Sequence, residues 1–137
     1  MPSVSKEDYL RAMHHLAVEH DRQIKSIEIA DYLNVSRASV SEMLRRLEEG
    51  GFIRHERYSK TKFTSKGRRL AEKLTAKHRL IERFLADVLR MRPEHIHEQA
   101  HKLEHAFSDE AMKQIRKLLH DPKTDPHGQP IPLISIP

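Results

Sequence analysis

The apolar positions near the start of the chain repeat at intervals of three and four. Leu10, Met13, Leu16 and Ala17 share one face of a helix predicted over residues 5–19. Ser5 is suited to cap that helix, and Asp8 three positions on completes a capping box. His20-Asp21-Arg22 reads as a loop. A shorter helix fits residues 26–33, with Ile29, Ala30 and Leu33 on one side. Asn34 after it tolerates the left-handed backbone that ends a helix. Ser36 then caps a third helix over residues 37–49, with Val40, Met43, Leu44 and Leu47 facing inward and Gly50-Gly51 stopping it. Two short helices joined by a tight turn form a helix-turn-helix pattern.

The period then changes. Residues 52–58 and 61–64 read as two short strands around a polar turn, a β-hairpin in the place of a wing. Ser65 is the expected cap of a long helix over residues 66–89, whose buried stripe is Leu70, Leu74, Ile81, Leu85 and Val88. Pro93 suits the first turn of another helix, reaching about Phe107. Ser108 caps a last one through Leu119, with Met112, Ile115, Leu118 and Leu119 apolar. Beyond Asp121 the tail holds five of the seven prolines and is expected to be extended and poorly packed. The fold class is therefore mainly α: a winged helix-turn-helix over residues 1–72, followed by a helical domain over 73–137. No internal repeat is visible.

Composition narrows the chemistry. A chain of 137 residues suits one domain or two small ones. It has no cysteine, which removes disulfides and thiolate metal sites. No apolar run approaches the roughly 20 residues that span a bilayer, and Met1 to Leu10 lacks an apolar signal core. These absences lead us to expect a cytoplasmic protein with no membrane partner. The formal charge is +5. The excess is concentrated between Ser36 and Lys73, where eleven Lys/Arg face five Asp/Glu, and favours a polyanionic partner. The outer face of the third helix, with its cap, offers Ser36, Arg37, Ser39, Ser41, Glu42, Arg45 and Arg46; the wing offers Arg57, Lys60 and Lys62. In double-stranded DNA, Ser39, Ser41 and Glu42 would meet base edges and the cations would meet phosphates. The serines are weak direct readers, so DNA shape should contribute. A basic segment can also be a solvated face, and a winged helix can bind protein.

Eleven histidines are the other departure from ordinary composition. His97, His101, Glu104 and His105 lie at offsets 0, 4, 7 and 8, one stripe of a helix. His78 and Glu82 form an i, i+4 pair on the preceding helix. A single His/Glu pair is usually a surface salt bridge, but several such residues on neighbouring helices can converge on metal ions. Imidazole and carboxylate together suit Mn, Fe, Co, Ni or Zn. A competing motif overlaps this stripe: His97-Glu98-Gln99-Ala100-His101 spells the zinc-protease pattern, with Glu98 as general base. Nothing upstream resembles a protease cleft, and that reading leaves the basic helix-turn-helix unexplained.

Several segments together resemble the diphtheria toxin repressor and manganese transport regulator family of metal-dependent repressors. They are Glu7-Asp8-Tyr9-Leu10, Ile29-Ala30 to Val40-Ser41, Thr64-Ser65-Lys66-Gly67, Lys77 to Arg83, Glu104 to Glu110 and Pro126 to Pro132. The resemblance covers nearly the whole chain. It implies a homodimer formed through the C-terminal helices, operator DNA as partner, and two metal positions per subunit. The first would use Asp8, His101, Glu104 and His105; the second would use His78, Glu82 and His97. Iron-type members place Met and Cys where this chain has Asp8 and His101, so the harder donors here point to Mn(II), with Fe(II) or Zn(II) as alternatives. Manganese-type members carry Glu where this chain has Arg11, which cannot ligate. The SH3-like third domain of larger members is expected to be absent, with any ligands it would supply replaced by water or dispensed with. The function implied is a metal-dependent repressor of metal-uptake genes, not an enzyme and with no small-molecule substrate. The alternatives are the protease-like reading and a metal-independent DNA-binding protein.

Overall fold

The computed structural model describes residues 4–19, 23–55 and 60–132. In chain order these form α1 (Lys6–Glu19), β1 (Ile24–Lys25), α2 (Ser26–Leu33), α3 (Arg37–Glu49), β2 (Ile53–His55), β3 (Lys60–Phe63), α4 (Ser65–Asp87), α5 (Pro93–Glu104) and α6 (Asp109–Leu118). The chain divides into two compact units, Met1–Leu74 and Thr75–Pro137, and the division falls within α4.

The first unit is a winged helix. Its core gathers Tyr9, Leu10, Met13 and Leu16 of α1, Ile29 and Ala30 of α2, and Val40, Leu44 and Leu47 of α3, with Ile24, Ile53 and Ala71. The capping box at Ser5 is present: Asp8 N donates to Ser5 Oγ at 3.2 Å, and Ser5 N donates to the Asp8 carboxylate at 2.9 Å. Asn34 takes φ 54° and lets the chain turn between α2 and α3. Ser36 Oγ accepts from Ser39 N at 3.0 Å and starts α3.

Two expectations need correction here. The sheet has three strands in the order β1-β3-β2, all antiparallel, so the hairpin gains a partner that the sequence pattern did not disclose. Two residues are too few for an alternation to register, although Ile24 is buried and Lys25 exposed. Thr61 sits at the centre and its hydroxyl donates to Ile24 O at 3.1 Å. The cap of α4 is Thr64, not Ser65: Thr64 Oγ1 accepts from Gly67 N at 3.1 Å and donates to Gly51 O at 2.6 Å. Ser65 is already helical.

In the second unit, Ala76, Leu80, Ile81 and Leu85 of α4 pack with Ile96 and Ala100 of α5 and Met112 and Ile115 of α6. Ser108 caps α6 by accepting from Ala111 N at 3.1 Å. α4 ends at Asp87 and leaves Val88 and Leu89 exposed, and α5 ends at Glu104 rather than near Phe107. Leu118 is also exposed, not part of the buried stripe. The segment after Asp121 is folded, contrary to expectation. Thr124 pairs with Pro130, Ile131 N donates to Lys123 O at 2.9 Å, and Ile131 is buried. Asp125 is buried too, its carboxylate taking the N–H groups of His127 and Gln129 at 2.9 Å each. The Arg79 guanidinium donates to Pro130 O. Proline prevents helix and strand here, but side-chain acceptors supply what the backbone cannot.

Gly67 shows how closely the first turn of α4 approaches β2. A Cβ at this position would lie 1.8 Å from Phe52 O, a backbone atom that cannot swing aside. The Phe52 ring is held between Lys6 and Lys66, whose ammonium groups lie 3.9 and 4.5 Å from its centroid. Helix propensity alone favours Gly67→Ala by about 1 kcal/mol. The clash should outweigh this, so Gly67→Ala should lose about 1–3 kcal/mol in urea unfolding. An alanine variant as stable as wild type would contradict this packing.

Candidate metal centre and nucleic-acid interface

The His/Glu groups of the second unit come from α4 and α5. One turn of α4 puts His78 and Glu82 on the same inward face, and α5 presents His97, His101 and Glu104, with His105 as its C-cap. His78 lies at the junction. Its Nδ1 is 2.8 Å from Glu104 Oε2, and its Nε2 is 3.3 Å from His97 Nδ1 and 3.4 Å from Glu82 Oε1. Glu82 Oε2 is 3.6 Å from His97 Nδ1. His78, Glu82 and Glu104 are 4%, 3% and 9% exposed, so these three lie inside the fold, while His97 meets them from the surface. Groups of this kind are buried only when paired.

A carboxylate only accepts, so His78 Nδ1 carries the hydrogen given to Glu104. In the neutral ring the Nε2 lone pair faces Glu82 and His97; in the imidazolium Nε2 donates there instead. One ligand atom each from His78, Glu82 and His97 lie within 4.8 Å of one another. The same holds for His101, Glu104 and His105, and the His101 and His105 rings meet edge to face at 5.5 Å. An imidazole that donates one nitrogen to a carboxylate and presents the other to a group of donors is the usual support of a metal ligand. Burial works to raise the Glu82 carboxyl, but when the imidazoles of His78 and His97 are protonated, their hydrogen bonds and charge overcome it and bring it down to about 2.

Asp8 belongs to the first unit, where it is buried in the α1 cap and lies 3.7 Å from the Arg11 guanidinium. The two histidines of the protease-like motif fall in different groups, His97 beside His78 and His101 beside His105. Glu98 is on the surface, 3.5 Å from Lys102. Sequence reasoning missed a third grouping: Glu82, Asp125 and His127 also bring ligand atoms within 4.8 Å of one another. The only early signal was an Asp and a His two positions apart in the Pro/Gly-containing segment that carries part of the family resemblance.

In the first unit, Ser36, Arg37, Ser39, Ser41, Glu42, Arg45 and Arg46 are all exposed on α3 and its cap. The hydroxyls of Ser36 and Ser39 bond to each other at 2.9 Å. Arg45 is held by Glu42 at 2.7 Å and by Glu49 at 2.8 Å, and Arg46 reaches Glu42 at 3.4 Å. Hydrogen bonding and charge from Arg45 lower the Glu42 carboxyl, and Glu42 and Glu49 raise the Arg45 guanidinium in return. Lys60 and Lys62 are half-buried on β3. Arg57 lies outside the described residues.

Comparison with known proteins decides the family. Residues 1–61 match the family described as "Iron dependent repressor, N-terminal DNA binding domain", and residues 64–133 match "Iron dependent repressor, metal binding and dimerisation domain". The chain belongs to the iron-dependent repressor family. Among its relatives, the iron-dependent repressor IdeR of Mycobacterium tuberculosis is 36% identical over 126 residues, covering 92% of this chain and 54% of IdeR. An uncharacterised HTH-type transcriptional regulator of Methanocaldococcus jannaschii is 36% identical over 114 residues, covering 83% of this chain and 91% of the regulator. The solved structure of the manganese regulator SloR matches with a TM-score of 0.80 at 36% identity, covering 95% of this chain and 63% of SloR. This repressor-family chain thus spans about half the length of IdeR. The winged helix followed by a helical unit is the family's fold, and the family is one of non-enzymatic regulators. Among the described residues no helix is long and apolar enough to cross a membrane.

The depressed Glu82 carboxyl sets an acid limit. Folded Glu82 binds its proton near pH 2, whereas the unfolded chain binds it near 4.5, so the unfolded state holds more protons between these values. The stabilisation is complete above about 4.5 and lost as pH falls through about 2. In metal-free urea unfolding, wild type should lose on the order of 3 kcal/mol more than Glu82→Gln across this window. Parallel pH profiles would remove Glu82 as the source.

Proposed function

We propose that this chain is a divalent-metal-responsive transcriptional repressor, with Mn(II) as its effector, binding operator DNA as a homodimer. The observation that carries this reading is the buried His78 junction, in a chain whose other unit is a winged helix. Residues 1–72 would serve as the DNA-binding domain and 73–137 as the metal-binding and dimerisation domain. His78, Glu82 and His97 would hold one cation. His101, Glu104 and His105, joined by Asp8 as the family resemblance implies, would hold the other. A bound cation would supply the positive charge that these groups otherwise obtain only by protonating imidazoles.

The donor set fits a metal of this class: carboxylates and imidazoles, with no thiolate in a chain that lacks cysteine. The oxygen donors and the absence of Cys and Met at Asp8 and His101 support Mn(II) over Fe(II). Zn(II) would compete on intrinsic affinity. SloR is described as a manganese regulator and IdeR as an iron-dependent repressor. Exposed Val88, Leu89 and Leu118 give the second unit apolar surface for a second copy. Metal-uptake genes would be the target, and the cytoplasm the setting.

The test is fluorescence anisotropy with a duplex selected from a random library, with Mn(II), Fe(II), Zn(II) or chelator. Mn(II) should tighten binding about a hundredfold, a coupling of about 2.7 kcal/mol. His105→Ala and Glu104→Gln should abolish that response, and Glu98→Gln should keep it. Equal affinity with and without chelator would overturn the metal dependence.

A further inference from the structure

The strand register sets cations against cations. Lys25 of β1 lies opposite Lys60 of β3, and Arg54 of β2 lies opposite Lys62. Side chains alternate along a strand, so Lys60 and Lys62 share a face, and their partners share it too. The opposite face carries Ile24, Thr61, Ile53 and Phe63, which pack toward the core. Four cations therefore occupy one outer face of a three-stranded sheet. Like charges directly opposite destabilise a sheet. Among the described residues, no carboxylate is ion-paired with any of the four. Glu28 also lines the cleft between Lys25 and Lys60, and its Oε1 accepts the Lys25 N–H at 3.2 Å and caps α2.

The outer face of α3 is the reverse case. Glu42, Arg45, Arg46 and Glu49 neutralise one another in a single ladder. A cation already paired with a carboxylate releases fewer counterions at a phosphate than a free one.

We infer that the outer face of the sheet, with Lys25 and Arg54 as well as Lys60 and Lys62, is the surface that binds the DNA sugar-phosphate backbone. Arg45 and Arg46 of α3 contribute contacts of orientation and sequence but little of the salt-dependent attraction, which on that helix falls to Arg37. This rests on the proposed DNA binding. It adds two residues that sequence reasoning did not select, and moves the phosphate contacts away from Arg45 and Arg46. Double-stranded DNA is the occupant because its phosphates are spaced along a groove edge, matching a row of cations two residues apart.

The experiment measures affinity for a labelled random-sequence duplex against salt, using the full chain in excess Mn(II). Replacing Lys25 and Arg54 together with Gln should lower the slope of log affinity on log salt by about 1.8, at about 0.9 per phosphate lost. The charge-conserving pair Arg45→Gln with Glu49→Gln should change it by less than half as much. An unchanged slope in the sheet variant, or an equal fall in the α3 variant, overturns the inference. So does binding to phosphatidylserine vesicles without binding to duplex. A second measurement needs no DNA: at low ionic strength the sheet variant should melt at a higher temperature than wild type, with the gain fading as salt rises. A lower melting temperature would contradict net repulsion among these cations. Loss of the chelator effect alone would sink the metal dependence and leave this inference standing.

Discussion

One imidazole sits between two buried carboxylates, and the second unit is organised around it. His78 gives its Nδ1 hydrogen to Glu104, and its Nε2 faces Glu82 and His97. A neutral ring can satisfy only the first of these contacts. The second then sets a lone pair against a carboxylate, and its 3.4 Å separation is longer than the 2.8 Å bond on the other side. A proton on Nε2 relieves the conflict, and so would a metal cation. The apolar packing of Leu80 and Ile81 against Ile96 and Ala100 fixes α4 and α5 close enough for the conflict to exist. The core of this unit therefore positions the imidazole and the carboxylates against one another.

The helices were legible in the sequence because their signals are local. Ser5, Ser36 and Ser108 cap as their spacing suggests, and Asn34 ends α2 in the left-handed region. The features that escaped depend on distant partners. β1 exists because Ile24 and Lys25 pair with β3, across a sequence separation that no window of periodicity covers. The choice between Thr64 and Ser65 as cap is made by Gly51 O, which fixes the Thr64 hydroxyl from another part of the chain. The proline-containing tail looked unstructured because its order comes from the Asp125 carboxylate and from Arg79 on α4.

The functional groups divide in the same way. Offsets along one helix revealed His97, His101, Glu104 and His105, and an i, i+4 pair revealed His78 and Glu82. That His78 would contact Glu104, and so join the two sets, required the approach of α4 to α5. Counting charges identified a basic segment but could not say which charges were free. On α3 the count overstated the available cations, because Glu42 and Glu49 hold Arg45 and Arg46. On the sheet it left out Lys25 and did not single out Arg54, because both acquire their meaning only from the strand register.

Glu82 is the carboxylate that two groups of potential ligands share. It lies within ligand distance of two different pairs: His78 with His97, and Asp125 with His127. The first set has two imidazoles and one carboxylate; the second has two carboxylates and one imidazole. Nitrogen-rich donors favour Zn(II) more strongly, and oxygen-rich donors reduce that advantage and suit Mn(II). The second set also depends on the C-terminal loop, whose position on α4 is held by Arg79 at Pro130 and by Arg83 at Thr124, 3.5 Å away. The loop that seemed least structured from its prolines thus carries the donors of the more oxygen-rich group. The packing of that loop on α4 therefore sets the surroundings of Glu82 as much as the histidine stripe on α5 does.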